Sequence, residues 1–66
     1  MKIRINGELK DIEGPVTLDQ LLDQLRLHRG TVVCELNRSI VSKVQYPEIY
    51  LNESDSLEIV HFVGGG

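Results

Sequence analysis

One short helix signature stands alone among β-like segments, and it limits the possible folds more than any other feature. Thr17 is a good N-cap, and Gln20, three residues on, completes a capping box. Asp19 falls in the first turn, where the helix dipole favours negative charge. Leu18, Leu21, Leu22 and Leu25 follow the i, i+3, i+4, i+7 spacing of a single buried stripe. Arg26 and Arg29, followed by Gly30, predict the C-terminal end. A helix apolar along one stripe must bury it, and the segments around this one read as strands.

Ile3 and Ile5 alternate with Lys2 and Arg4, the period of a strand covered on one face. Asn6-Gly7 suits a type I′ turn, so residues 1–12 read as a hairpin returning through Glu8–Ile12. The change of parity between Leu9 and Ile12 predicts a bulge or an early strand end. Gly14-Pro15 breaks the chain before the helix. Thr31–Asn37 is β-branched and strand-like, and Asn37-Arg38 reverses it into Ser39-Ile40-Val41. Tyr46-Pro47 argues against a helix in 42–56, where a short strand is expected through Ile49-Tyr50-Leu51. Asn52–Asp55 is a polar turn, and Leu57–Val63 is the last strand. The order predicts an α+β layer: a mixed sheet of four to five strands with the helix on one face. A last strand parallel to the first would put both at the sheet centre.

With 66 residues there is one domain and no room for a deep enclosed active site, which disfavours an independent enzyme. The single cysteine, Cys34, excludes an internal disulfide framework and a four-cysteine metal site. No apolar run approaches the ~20 residues that span a bilayer, and residues 1–6 lack a signal-peptide core. These features predict a cytoplasmic location. Ten acidic against seven basic residues give a formal charge of −3, which works against nonspecific nucleic-acid binding and suits a basic protein surface.

The chain closes on Gly64-Gly65-Gly66, directly after the last strand. One reading is a frayed end. The other is a displayed α-carboxylate on a backbone with no side chains, able to thread into a narrow site and be attacked there. At about 3.3 Å per extended residue, three glycines give roughly 10 Å of reach.

Four segments together resemble the ubiquitin-like β-grasp sulfur carriers of prokaryotes, and among them the thiamin-biosynthesis (ThiS-type) carriers. They are Ile3–Gly7, Val16–Leu22, Glu35–Val41 and Asp55–Gly66. Ser54 and Ser42 depart from that pattern, standing where glycine and proline are usual. The resemblance implies a ubiquitin-like β-grasp domain over 1–63 and a flexible reactive tail over 64–66. It also implies that a ubiquitin-activating-like adenylyltransferase uses ATP to adenylate Gly66. A cysteine desulfurase or related donor then yields a thiocarboxylate, whose sulfur passes to thiazole synthase. Gly64 and Gly65 would thread the tail. The chain would be a co-substrate that binds no cofactor, and a monomer when free. Alternatives are a molybdopterin-synthase small-subunit-like carrier and a β-grasp interaction module that never reacts.

Val60 and Phe62 should lie opposite Leu57 and Ile59 on the last strand and, joined by Val33, form an apolar partner surface. Cys34 reads as an inert buried thiol. His28 is expected at the helix C-terminal carbonyls or in solvent, and His61 at the sheet margin. Arg26, Arg29, Arg38 and Lys43 read as solvated surface. Two histidines without HxH or HxxxH spacing predict no metal site.

Overall fold

Asn6 and Gly7 take φ values of 49° and 85°, the paired positive angles of a type I′ turn. They join β1 (Lys2–Ile5) to β2 (Glu8–Asp11), paired antiparallel without a bulge from Lys2↔Asp11 to Ile5↔Glu8. Of the two outcomes expected there, β2 ends early and Ile12 turns to pack against the core. The computed structural model of the protein describes residues 1–62. Among these residues the remaining strands are β3 (Val32–Leu36), β4 (Ser39–Ile40) and β5 (Ser56–His61), and the one α-helix, α1, spans Leu18–Gln24. Sheet order is β2-β1-β5-β3-β4, with β5 parallel to β1 and antiparallel to β3. Val63, the last residue expected in this strand, lies outside the described residues.

The core fills the space between α1 and one sheet face. Ile3, Leu57, Val32 and Cys34 from the strands meet Leu18, Leu21 and Leu22 from the helix, with Val16 and Tyr46 closing the side. A seven-residue helix is too short to persist alone, so its start is tied down fully. The Thr17 hydroxyl accepts from Gln20 N–H at 3.1 Å, and Gln20 Oε1 accepts from Thr17 N–H at 2.9 Å. Leu18 and Asp19 donate to the carbonyls of Ile49 and Tyr46 at 2.8 and 3.1 Å. The irregular connection after β4 thus caps the helix. Its expected strand through residues 49–51 is only an isolated bridge between Thr17 and Tyr50.

The helix ends well before Gly30. Arg26 takes the left-handed conformation at φ 60°, its N–H bonding Asp23 O at 3.0 Å, while Leu27 N–H bonds Leu22 O at 2.9 Å. This is a Schellman ending with arginine where glycine is usual, fixed by Leu27 folding back onto the core. Leu25 therefore lies at the C-cap, 36% exposed, instead of extending the buried stripe. Gly30 sits in a 3-10 turn, Arg29–Thr31, where an added Cβ would come within 2.9 Å of His28 Nδ1. Of the two places expected for His28, it takes the solvent-exposed one. Its Nδ1 accepts from Gly30 N–H at 3.0 Å.

The two departures from the carrier pattern differ in consequence. Ser42 has φ −68°, a value proline would adopt unaided. Ser54 is held at φ 73°, in the glycine-favouring region, at a cost of about 1–2 kcal/mol. Its N–H donates to Lys2 O at 2.8 Å, which keeps the last turn against β1.

Candidate functional site

Everything that positions the end of the described chain converges on β5. It lies between β1 and β3, and two turn asparagines hold it by their side-chain amides. Asn6 Oδ1 accepts from Ile59 N–H at 2.7 Å, and Asn6 Nδ2 donates to Ile59 O at 3.2 Å. The amide continues the β1–β5 ladder where the β1 backbone has already turned away. Asn37, at φ 51° in the β3–β4 turn, accepts from Ser56 N–H at 2.9 Å and donates its own N–H to Ser56 O at 2.7 Å. Its Nδ2 donates to Asp55, a buried carboxylate that also accepts Asn52 N–H at 2.7 Å.

Side chains alternate along β5 as expected. Leu57 and Ile59 face the core, while Val60 and Phe62 stand 53% and 54% exposed on the other sheet face. Val33 lies directly opposite Val60 in the β3–β5 register. The register therefore brings half-buried Val33 beside Val60, while Phe62, one residue beyond β5, has its ring near Lys43. One row along the same face Glu35 lies opposite Glu58, and Ile40, 73% exposed, lies opposite Glu35. Two carboxylates facing each other across strands repel. Neither forms an ion pair among the described residues. Arg4, on this face of β1, bonds Gly7 O at 3.1 Å. The outer face thus combines exposed apolar side chains with two unneutralised carboxylates.

Phe62, the last described residue, is tied to the domain. Its N–H donates to Thr31 O at 2.9 Å, and Lys43 Nζ lies 5.4 Å from its ring centroid. The same ammonium donates to Arg29 O and Val32 O, both at 2.9 Å. Sequence reasoning placed Lys43 in solvent because its partners are carbonyls and a ring brought near only by the tertiary fold. Arg29 likewise pairs with Asp19 at 3.6 Å. Gly64, Gly65 and Gly66, read as the threading and reactive positions, lie outside the described residues.

Cys34 is fully buried, and its N–H donates to the hydroxyl of the equally buried Tyr46 at 3.2 Å. Burial pushes the Cys34 thiol up, against lowering contributions from Tyr46 and Lys43. A thiol held protonated and out of solvent is a poor nucleophile. His61 is exposed near the end of β5. Among the described residues no group of three or more His, Cys, Asp or Glu side chains could hold a metal. No helix among them is long and apolar enough to cross a membrane.

A five-stranded mixed sheet with parallel central strands β1 and β5, and one helix across one face, defines a ubiquitin-like β-grasp domain. The family model described as the ThiS family matches residues 3–66. The chain is 38% identical over 65 residues to the sulfur carrier protein ThiS of Bacillus subtilis, covering 97% of this chain and 98% of that one. It therefore belongs to the ThiS family. A solved structure of the thiamine biosynthesis protein ThiS from Geobacter metallireducens matches with a TM-score of 0.85 at 25% identity, both chains covered in full. A protein named thiazole synthase in Magnetococcus marinus is 42% identical over all 66 residues. The chain spans only 20% of that relative's length.

Proposed function

We propose that the chain is a sulfur carrier of thiamin biosynthesis, with the α-carboxylate of Gly66 as its reactive group. The observation that carries this reading is the extent of the family match. It runs through residue 66, so the three glycines fall within the family's pattern, beyond the end of β5 at His61. The thiazole synthase relative, which includes a segment similar to the whole chain, supports thiazole synthase as the acceptor. In this reading residues 1–63 are the handle and 64–66 the reactive tail, working in the cytoplasm.

A free α-carboxylate, with a pKa of about 3.3–3.7, is ionised at neutral pH and a poor electrophile. It must first gain a leaving group. Attack of the Gly66 carboxylate on the α-phosphorus of ATP, in an adenylyltransferase site, releases pyrophosphate and leaves an acyl adenylate. The terminal sulfur of a persulfide, supplied by a cysteine desulfurase or related donor, attacks that carbonyl and expels AMP. The product is an acyl disulfide. A thiol supplies the two electrons that cleave its S–S bond, leaving the thiocarboxylate and a new disulfide. Exchange of that sulfur for the oxygen of a carbonyl acceptor on thiazole synthase restores the carboxylate. The chain is consumed and regenerated, and so acts as a co-substrate. The Val33, Val60 and Phe62 face docks the partner while Gly64 and Gly65 admit the tail.

Intact mass tests this directly. Incubation with the adenylyltransferase, ATP, a persulfide donor and a thiol should replace one oxygen by sulfur. Deleting Gly66, or substituting Gly65→Val, should abolish the gain and leave the melting temperature unchanged. No gain in the wild-type chain, with partner binding retained after Gly66 is deleted, would establish a noncovalent module instead.

A further inference from the structure

We propose that Lys43 is a positioning residue that fixes the point from which the chain leaves the domain. Its ammonium is shared among three groups at the end of β5: Arg29 O and Val32 O at 2.9 Å each, and the Phe62 ring at 5.4 Å. The two carbonyls flank Thr31, whose own carbonyl accepts Phe62 N–H at 2.9 Å. One cation thus contacts both the segment that leads into β3 and the ring of Phe62, the residue whose backbone N–H bonds that segment. Without it, Phe62 keeps, among the described residues, its N–H bond to Thr31 O beyond the strand end, and its half-exposed ring is free to turn.

The consequence for docking rests on the carrier reading. A partner that must engage Phe62 and take in the following residues binds only the fraction of molecules whose strand end is already placed. Losing that placement lowers the competent fraction and raises apparent KM by its reciprocal, while kcat of the bound complex is unaffected. A cation over an exposed aromatic ring corresponds to about a two- to fivefold effect. Lys43 also borders an open groove with His28, Arg29, Val44 and Pro47, so a direct contact with the partner is the competing explanation.

The test pairs Lys43→Met with Lys43→Arg, which keeps the charge, and crosses each with Phe62→Ala. In the free protein, Lys43→Met should speed exchange of the Phe62 amide at least twofold at a temperature where the chain stays folded. With the adenylyltransferase, it should raise KM about two- to fivefold at constant kcat, and Lys43→Arg should restore it. In the Phe62→Ala background the Lys43→Met effect on KM should vanish, because Lys43 acts through that ring. Unchanged Phe62 exchange overturns the proposal, as does a KM effect that persists without Phe62. A purely stabilising role leaves KM unmoved below the melting transition. If the wild-type chain gains no sulfur, the carrier reading has failed, and the exchange measurement alone decides whether Lys43 secures the strand end.

Discussion

Tyr46 shows how one side chain can join parts of a small core that are distant in sequence. Fully buried, it accepts the β3 amide of Cys34 through its hydroxyl and the first-turn amide of Asp19 through its carbonyl. Burial, then the neighbouring Cys34, pushes its phenol from 10.0 up to about 12. The folded state thus keeps a proton that the unfolded chain releases near pH 10. Above that pH the unfolded state binds fewer protons, so the contribution of Tyr46 is full below pH 10 and lost as pH rises towards 12. Tyr46→Phe should cost about 1–3 kcal/mol at pH 7, because the buried Cys34 amide loses its acceptor. The gap between wild type and variant should narrow through the alkaline range. Urea melts at stepped pH read this, and a gap that stays constant from neutral to alkaline pH would refute the assignment.

At the scale of elements, β5 is held by side chains that imitate backbone. The Asn6 amide pairs with both polar groups of Ile59, so Asn6→Gly separates two roles of one residue. Glycine keeps the positive φ of the turn, and the loss should come from the missing clamp, about 1 kcal/mol. Amide exchange at Ile59 should quicken more than at Cys34, its cross-strand partner, and uniform quickening would mean that the turn itself had failed. The turn was legible in the sequence because Asn-Gly carries its own geometry, as was the helix start because a capping box is local. Its C-terminal end was not. Arg26 adopts a conformation its own chemistry does not favour, because Leu27 gains the core. The irregular 42–51 segment was equally opaque, since its caps on α1 and the Lys43 contacts exist only once the sheet has formed. The placement of half-buried Val33 beside exposed Val60 was legible because strand pairing sets them opposite, and the exposure of Val60 because strand alternation turns it from the core.

Across the whole molecule the two sheet faces differ in composition, and if the outer one docks a partner their energetics should separate. The inner face holds the fold, whereas the outer face keeps features that stability alone would remove: half-exposed Val60 and Phe62, and the facing pair Glu35 and Glu58. Glu58→Gln removes a like-charge repulsion and should stabilise the domain by roughly 0.2–0.5 kcal/mol. If the face docks a basic partner surface, the same substitution should slow association a few-fold and flatten its salt dependence, because complementary charge acts chiefly on the encounter rate. Phe62→Ala should do the converse. Stability should fall by no more than about 1 kcal/mol, since the ring is half exposed and its specific contact is the Lys43 cation. Affinity should fall about tenfold or more, mainly through faster dissociation, as for a central aromatic anchor. Stopped-flow association at two salt concentrations, beside thermal melts, separates the two variants. Unaltered association for Glu58→Gln would remove charge from the account of docking. Equal losses of stability and affinity for Phe62→Ala would return that ring to the fold.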